Sequence, residues 1–375
     1  MTECRVCLNT INSECFRFEN MPSIAQYLPD NASISADNAI SLDLHVCPYC
    51  GVAFLDSDPV EYYREVIRAV DVSAEIKNAK YKQFNEFCNK YNLIGKDIIE
   101  IGCGNGEFLS ILDKCGVNAF GIEYSADSVA KCSSKGFNVY QGFITDEDYR
   151  ICEKRFDGFL LLMFLEHIPK PRDFLKGVHG NLKDDAFGII EVPDSDMIFT
   201  TGLYAEVMKD HLYYFNLNSL STLLNSCGFE IVEENTIREG YVLSVTVKKR
   251  KILDLNNIGN YLERVREHFQ NVLCRYNKVI MWGASHQTFF LLSQIGDMKK
   301  ICQIIDSTEF KQGKYSPVSH IPICKPSEDV KNADAIIVSA GSYSPEIVEI
   351  LHKDYNYSGD IYVFAIDSLR KQEIS

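Results

Sequence analysis

A glycine-rich turn between a predicted strand and a predicted helix constrains the fold of this chain more than any other feature. The apolar run Asp97–Ile101 has the length of a strand, and Gly102–Gly106 (GCGNG) follows it directly. A helical pattern begins at Glu107. Glycines at such a junction let the backbone turn sharply and approach a ligand in front of a helix N-terminus. The turn therefore predicts an α/β fold with a ligand site after this strand.

Strands and helices alternate on both sides of the turn. A helix is predicted at 74–91, and an amphipathic helix with apolar residues from Ile258 to Tyr276 follows the first α/β series. Alternation of this kind is typical of doubly wound parallel sheets. The predicted strands lie at 97–101, 119–123, 158–162, 187–192, 228–233 and 241–247, and then at 278–283, 301–306, 335–338 and 361–364. We therefore predict three segments: residues 1–60, 72–250 and 253–375.

The acidic residues around the turn favour S-adenosylmethionine over a dinucleotide as its ligand. The glycine spacing ends at Gly106, whereas the dinucleotide pattern needs glycine at the position of Glu107. Glu100 lies two residues before the first glycine, where it can meet the cationic methionine end of the ligand. Glu123 ends the next strand about 20 residues on, where a carboxylate reaches ribose hydroxyls. A NAD-binding or non-catalytic Rossmann domain is the alternative.

A second motif carries a resemblance to class I methyltransferases. Phe156–Phe159 (FDGF) leads into Met163–Pro169 (MFLEHIP), which resembles the fourth-strand motif of that family. The resemblance implies that the residues just before Leu-Glu-His line the methyl donor and that Phe143 and Ile144 enclose its adenine. The predicted cofactor residues are Glu100, Gly102, Cys103, Gly104, Gly106, Glu123, Tyr124, Phe143, Ile144 and Met163.

Two Cys-x-x-Cys pairs near the start of the sequence predict a structural zinc site. The pairs are Cys4 with Cys7 and Cys47 with Cys50, and Gly51 suits the tight turn of such a knuckle. Four thiolates enclose Zn²⁺ tetrahedrally and leave no open position for catalysis. A redox pair would be expected at a helix start in a βαβ unit, which neither pair occupies. A redox pair or unrelated thiols are the alternatives.

Composition and charge exclude several classes of function. The net charge is −14, and the one basic run, 248–251, lies between two periodic segments, so we expect no nucleic-acid partner. The longest apolar run, 158–165, is far shorter than the ~20 residues of a membrane-spanning helix. The first residues lack the pattern of a secretory signal, and 14 cysteines then indicate a reducing compartment. We predict a cytoplasmic protein, monomeric or homodimeric, with a small-molecule substrate.

The third segment carries a more specific resemblance. Asp306–Gly313 (DSTEFKQG), Tyr315, Pro317 and His320–Ile323 (HIPI) resemble the C-terminal domain of nucleotide-sugar C-methyltransferases. The order of cysteine pairs, methyltransferase segment and second α/β segment extends this resemblance over the whole chain. It implies a class I methyltransferase (Rossmann-like) sheet with an N-terminal zinc-binding module. It also implies a second Rossmann-like domain that binds substrate or nucleotide, and methylation at C3 of a 4-keto deoxysugar.

The catalytic stretch of that family matches Met208–Phe215 (MKDHLYYF). The family pattern Tyr-x-Glu-His aligns its histidine with His211, its glutamate with Asp210 and its tyrosine with Met208, which cannot exchange a proton. A further family tyrosine, after the zinc module, corresponds to Tyr62 or Tyr63. Gln287 stands where the family has a lysine. These departures leave the acceptor atom open.

We predict that His211 removes the proton from carbon, because a neutral histidine accepts a proton near neutral pH. Asp210 is a weaker candidate unless the backbone is irregular, since adjacent side chains on a strand point to opposite faces. His167 is a further catalytic candidate, and a structural role is the alternative for either histidine. Tyr204, Tyr214 and Lys311 are the predicted substrate contacts.

Two other functions compete with carbon methylation. One is O- or N-methylation of a sugar or small metabolite on the same scaffold, with Asp210 or His211 as the base. The other is a zinc-containing scaffold that only binds nucleotides, which the acids Glu100 and Glu123 oppose.

Overall fold

The computed structural model of the chain forms two compact units, Met1–Lys251 and Ile252–Ser375. Within the described residues, no helix is both long and apolar enough to cross a lipid bilayer. The division of the first unit into residues 1–60 and 72–250 stays a prediction. The described residues are 2–12, 14–26, 28–65, 72–296 and 298–372.

The strands of the described residues are numbered in chain order. They are β1 (Thr2–Glu3), β2 (Thr10–Ile11), β3 (Phe16–Met21), β4 (Ile40–Val46), β5 (Ala53–Leu55), β6 (Asp97–Ile101), β7 (Asn118–Glu123), β8 (Asn138–Gln141), β9 (Phe156–Leu162), β10 (Leu182–Pro193), β11 (Tyr213–Tyr214), β12 (Phe229–Ile237), β13 (Val242–Lys249), β14 (Val279–Trp282), β15 (Ile301–Ile305), β16 (Ile323–Cys324), β17 (Ala335–Val338), β18 (Asp360–Ala365) and β19 (Ser368–Lys371).

The helices are numbered in the same way. They are α1 (Ala74–Lys90), α2 (Leu109–Asp113), α3 (Ala126–Ser134), α4 (Pro171–Gly180), α5 (Ser195–Thr201), α6 (Leu217–Ser226), α7 (Asn256–Leu273), α8 (His286–Gln294) and α9 (Ser344–Lys353). Short 3-10 helices lie at Ile34–Ala36, Leu165–His167, Tyr204–Glu206, Glu309–Lys311, Glu328–Asn332 and Gly341–Tyr343.

The central sheet of the first unit has the strand order β12-β13-β10-β9-β6-β7-β8. The strands from β10 to β8 in this order pair in parallel, whereas β13 is antiparallel to β10 and β12 to β13. The chain runs from β6 outward to β8 and returns to β9 on the other side of β6. The topological switch point, where α/β sheets bind ligands, therefore lies between β6 and β9. This is the doubly wound, Rossmann-like sheet of class I methyltransferases that the sequence predicts.

Apolar side chains cover both faces of this sheet, as the buried middle of a parallel sheet requires. Ile99, Phe159 and Leu161 pack into the cluster that includes residues of α4 and α6. Ile98 and Leu160, one position away on the same strands, pack with α1 and α2 on the opposite face. The two-residue alternation of side chains along a strand produces this division.

A smaller four-stranded sheet joins the N-terminal segment to the predicted catalytic stretch. Its order is β11-β5-β4-β3, and all its pairs are antiparallel. β11 pairs Tyr213 with Phe54 and Tyr214 with Ala53. The residues just before β11 are therefore held by the segment that carries the cysteine pairs.

The second unit contains a six-stranded sheet with the order β16-β15-β14-β17-β18-β19. The strands from β16 to β18 are parallel, and β19 is antiparallel to β18. Met281 of β14 packs with α7 and α8 on one face, and Ile280 packs with Leu351 of α9 on the other. The predicted second α/β domain is thereby confirmed.

The elements that the sequence predicts differ from the observed ones mainly at their ends. α2 begins at Leu109 rather than Glu107, because the glycine turn continues through Phe108. β10 begins at Leu182, where a polar, exposed stretch precedes a register shift against β9. The prediction gave no bounds for six helices and nine mostly short strands, which are α3, α4, α5, α6, α8 and α9, and β1–β5, β8, β11, β16 and β19.

Candidate active site

The turn after β6 has a backbone that requires glycine. Gly102, Gly104 and Gly106 have φ angles of 71°, 54° and 82°, a region that other residues rarely adopt. A Cβ at Gly102 would lie 3.3 Å from the ring of Phe164, and one at Gly106 would lie 3.0 Å from the Sγ of Cys132. The turn is therefore packed closely from behind, and its front faces a cleft.

Two buried acids lie on the strands next to this turn. Glu123, at the end of β7, accepts hydrogen bonds from the backbone N–H groups of Gly104 and Ser125, both at 2.9 Å. Burial raises the pKa of Glu123, and these two hydrogen bonds oppose the shift. Glu100 is also buried, on β6. The contacts of Glu100 with the methionine end and of Glu123 with the ribose stay predictions.

Eight of the ten predicted cofactor residues line two adjoining clefts, and Glu100 and Gly106 line neither of the two. Gly102, Cys103, Gly104, Glu123 and Met163 line the first. The second cleft is also lined by Gly102 and Glu123. Three further predicted cofactor residues line it, namely Tyr124, Phe143 and Ile144. Acids beside the turn and aromatic rings beyond it match the charged and aromatic ends of S-adenosylmethionine, so the residues present fit this ligand.

Arg64 and Glu65 also belong to these clefts, and the sequence interpretation missed both. The guanidinium carbon of Arg64 lies 5.2 Å from the ring centroid of Phe143 and 5.5 Å from that of Tyr124. Glu65 lines the first cleft. No motif marks this stretch, because it precedes α1 and reaches the clefts only through the tertiary fold.

Glu166, His167 and His211 form a largely buried group. Glu166 and His167 follow β9, and His211 precedes β11. The Nδ1 of His167 is 2.7 Å from the carbonyl oxygen of Asp210, and its Nε2 is 3.8 Å from the Oε1 of Glu166. The imidazole rings of His167 and His211 have centroids 4.9 Å apart. The structure thus brings together the two histidines that the sequence nominates, and it adds Glu166 to them.

Burial is the largest influence on the pKa values of these three side chains. It raises the pKa of Glu166 to about 8 and lowers that of His211 to about 3. The proximity of His167 lowers the pKa of His211 further. Burial also lowers the pKa of His167, against the effect of the Asp210 carbonyl. Both imidazoles are therefore neutral at neutral pH.

Asp210 lies in a turn rather than on a strand. The His211 N–H donates to the Met208 carbonyl oxygen at 3.1 Å, and β11 begins only at Tyr213. The argument that Asp210 and His211 point to opposite faces of a strand therefore does not apply. Asp210 is buried, and its Oδ1 accepts a hydrogen bond from the Tyr62 hydroxyl at 3.1 Å. Of the two candidate tyrosines, the structure brings Tyr62 to this turn.

The predicted substrate contacts occupy different environments. Tyr204 is exposed, and Tyr214 is fully buried with its hydroxyl accepting a hydrogen bond from the Met208 N–H at 3.0 Å. Lys311, in the second unit, donates to the Oδ2 of Asp306 at 3.0 Å. The substrate roles of these three residues stay predictions.

The four cysteines of the N-terminal segment converge. The Sγ atoms of Cys4 and Cys50 are 3.6 Å apart, as are those of Cys7 and Cys47, and all four lie within 4.8 Å of one another. Four sulfurs around Zn²⁺ at about 2.3 Å are separated by about 3.8 Å in a tetrahedron. The cysteines therefore fit a four-thiolate zinc site.

The sequence is similar to methyltransferases along most of its length. Residues 56–234 match the family described as "Methyltransferase domain", and residues 253–366 match the family described as "C-methyltransferase C-terminal domain". The C-methyltransferase NovU of Streptomyces niveus is 23% identical over 98% of this chain and 96% of its own length. The chain is an S-adenosylmethionine-dependent methyltransferase. The assignment of the glycine turn and its two acids to the methyl donor stays a prediction.

Other relatives of this methyltransferase match only part of it. The ubiquinone biosynthesis O-methyltransferase of Glaesserella parasuis serovar 5 (strain SH0165) is 31% identical over 25% of the chain and 43% of its own length. The solved structure of an S-adenosylmethionine-dependent methyltransferase from Clostridium acetobutylicum ATCC 824 covers 50% of the chain and 96% of its own, with 15% identity and a TM-score of 0.39. The full-length similarity to NovU and the C-terminal match support a C-methyltransferase.

Proposed function

We propose that this methyltransferase methylates a carbon of a nucleotide-linked keto-deoxysugar, next to the ketone. The observation that carries the proposal is the similarity to the C-methyltransferase NovU over nearly the whole of both chains. The resemblance of residues 306–323 to nucleotide-sugar C-methyltransferases supports the choice of substrate. The C-terminal unit, with Lys311, is proposed to bind the nucleotide-sugar.

The proposed mechanism assigns the proton transfer to His211. Its imidazole is neutral and half-buried, and because burial lowers its pKa to about 3 it is a weaker base in the free protein than the sequence predicts. The negative charge that develops on the substrate would raise the pKa of the adjacent imidazolium, because opposite charges stabilise each other in a buried site. Tyr62 and Asp210 hold the turn that carries His211. Bound S-adenosylmethionine supplies the electrophilic methyl group.

The four cysteines are proposed to hold one structural Zn²⁺. The closed set of thiolates leaves no position for substrate, so the ion acts through folding alone. The segment that carries the cysteines also forms β5, which pairs with β11 directly after His211. The ion would thereby stabilise the wall against which the catalytic turn packs.

O- or N-methylation is the second candidate, and Met208 is the observation that favours it. Methionine cannot replace the hydrogen-bonding hydroxyl of the family tyrosine, so stabilisation of an enolate there is weaker. On this scaffold Asp210 or His211 would deprotonate a hydroxyl or an amine instead. The oligomeric state and the cytoplasmic location stay predictions.

Product analysis tests the proposal directly. The enzyme is incubated with S-adenosylmethionine labelled with carbon-13 at the methyl group and with a nucleotide-linked 4-keto deoxysugar. Carbon methylation is expected to give a product methyl resonance at an aliphatic chemical shift. A resonance in the methoxy or N-methyl range would establish the second candidate, and binding of S-adenosylmethionine without turnover of any keto-sugar would contradict the proposed substrate.

A further inference from the structure

The group formed by Glu166, His167 and His211 has the composition of a metal site. Each side chain offers a ligand atom, and the three atoms lie within 4.8 Å of one another. Glu166 and His167 come from one 3-10 turn, and His211 comes from the turn before β11. We propose that these three residues bind a divalent transition-metal ion, at a second site separate from the four cysteines.

Unsatisfied polar atoms inside the group favour a cation. The Oε2 of Glu166 and the Nδ1 of His211 are buried and, within the described ranges, have no hydrogen-bond partner. The Oε1 of Glu166 and the Nε2 of His167 are 3.8 Å apart, which is too far for a hydrogen bond. Buried polar groups without partners are costly, and an ion between them would satisfy several at once.

His167 is oriented as metal-binding histidines are. Such residues nearly always donate the second ring N–H to a backbone carbonyl, a carboxylate or water, which fixes the tautomer and directs the other nitrogen to the metal. The Nδ1 of His167 lies 2.7 Å from the Asp210 carbonyl oxygen. This contact leaves Nε2 as the free lone pair, on the side of the ring that faces Glu166.

The spacing of the ligands suits a small ion and needs little movement. Nitrogen and oxygen ligands at 2.0–2.1 Å from a tetrahedral ion are separated by roughly 3.4 Å. Backbone hydrogen bonds already hold the two segments together, since the Leu212 N–H donates to the Glu166 carbonyl oxygen at 2.9 Å. A small contraction of the three side chains would therefore complete the site.

The ligand set selects the class of ion. Two imidazoles and one carboxylate suit Zn²⁺, Co²⁺, Ni²⁺ or Fe²⁺, whereas Mg²⁺ and Ca²⁺ prefer oxygen ligands alone. Three protein ligands leave at least one position open. His211 is only half-buried, so this position can face solvent.

Occupancy of this site has a consequence that rests on the proposed function. A ring nitrogen that coordinates an ion cannot accept a proton from the substrate. The ion and the catalytic role of His211 therefore exclude each other, and a bound ion is expected to inhibit methyl transfer. Binding itself does not depend on that role.

Cobalt titration of the reduced full-length protein, with its zinc content measured first, tests the site. We expect one equivalent of Co²⁺ to bind with weak visible absorption and without the intense sulfur charge-transfer band of a thiolate site. His167→Gln and His211→Gln are each expected to weaken this binding by about 100-fold or more, since even the loss of a group that only supports a ligand costs 10–100-fold. His268→Gln is the matched control, because His268 is exposed on α7.

Folding of the variants is verified by their affinity for S-adenosylmethionine, which should match that of the wild type. Glu166→Gln replaces either histidine variant that fails this criterion. The proposal is overturned if the wild type binds Co²⁺ only with sulfur charge transfer, or if the variants bind the Co²⁺ that lacks this band as tightly as the wild type does.

An activity measurement separates this proposal from the proposed function. If the protein transfers methyl groups at the full rate while Co²⁺ fills the Glu166–His167–His211 site, then His211 is not the base and the metal site stands. An inactive His211→Gln variant together with a wild type that binds no second ion would overturn the metal site and leave the proposed function standing.

Discussion

The hydroxyl of Tyr62 donates a hydrogen bond to the Oδ1 of Asp210 at 3.1 Å, across 148 positions of sequence. The same hydroxyl accepts hydrogen bonds from the backbone N–H groups of Ala25 and Gln26, at 3.0 and 3.2 Å. Tyr62, just after the N-terminal segment, thus connects Ala25 and Gln26 of that segment to the turn that carries His211. The cysteine-bearing segment is part of the candidate active site.

Replacement of Tyr62 by phenylalanine tests this connection. Tyr62→Phe removes the donor to a buried carboxylate, and a hydrogen bond to a charged group contributes about 1.5–3 kcal/mol. We expect kcat to fall by roughly 10- to 100-fold, while the affinity for S-adenosylmethionine stays the same. Tyr81→Phe, at an exposed position on α1, is the control. Unchanged kcat in Tyr62→Phe would show that the contact is unimportant for catalysis.

Binding of the methyl donor is expected to depend on Glu123. Glu123→Ala removes the carboxylate predicted to hold the ribose and frees the Gly104 N–H that it binds. Calorimetry should show S-adenosylmethionine binding weakened by about 1.5–3 kcal/mol. Glu230→Ala, on the exposed side of β12, should bind as the wild type does. Equal affinity in both variants would contradict the assignment of Glu123.

The sheet and its cofactor turn could be predicted because they depend on local sequence. Continuous apolar strands, a helical period and the glycine turn after β6 are all visible within short windows. The convergence of the four cysteines could also be predicted, because two Cys-x-x-Cys pairs suit one shared site. The start of α2 was missed because the turn and the helix share the same residues.

The remainder of the site depends on tertiary contacts that leave no local pattern. Tyr62 and Asp210 are 148 positions apart in sequence, and the nearby pairing of β5 with β11 involves a strand of only two residues. Arg64 lies against Phe143 without any motif of its own. Asp210 was predicted to point away from His211 because a strand was assumed there, whereas the chain forms a turn at Asp210.

One zinc ion per chain is expected on the four cysteines. Elemental analysis of the purified protein checks this number. Cys47→Ser should lose the ion and lower the stability of the N-terminal segment, because metal binding is coupled to folding. Cys15→Ser, at an exposed cysteine of the same segment, should retain both ion and stability. Metal-free protein with unchanged stability would count against the site.

His179 is expected to make the protein less stable in acid. Burial lowers its pKa below 6.5, with a further contribution from Lys249 that Asp184 opposes. The folded state therefore binds fewer protons than the unfolded state below pH 6.5, and stability falls as the pH drops through that value.

Burial also lowers the pKa values of His167 and His211. The His179→Phe variant should therefore lose only part of the pH dependence of stability. The ring of phenylalanine replaces the imidazole that packs against Phe229. Urea unfolding midpoints at pH 5.5 and 7.5 should differ less in this variant than in the wild type. His352→Gln is the control, and an equal pH dependence in all three proteins would contradict the prediction.

Loss of the His211 imidazole is expected to abolish methyl transfer while leaving the affinity for S-adenosylmethionine nearly unchanged. His211 lies in the turn before β11, whereas the predicted cofactor contacts come from the ends of β6, β7 and β9. A general base contributes typically 10²–10⁴-fold, so His211→Ala should reduce kcat by that order. A His268→Ala variant provides the control at an exposed position. With a 4-keto sugar in deuterated solvent, the wild type should exchange the proton at C3 and His211→Ala should not. Exchange at the wild-type rate in the variant would assign the base to another residue, and full activity of the wild type without exchange would move the methyl acceptor to oxygen or nitrogen.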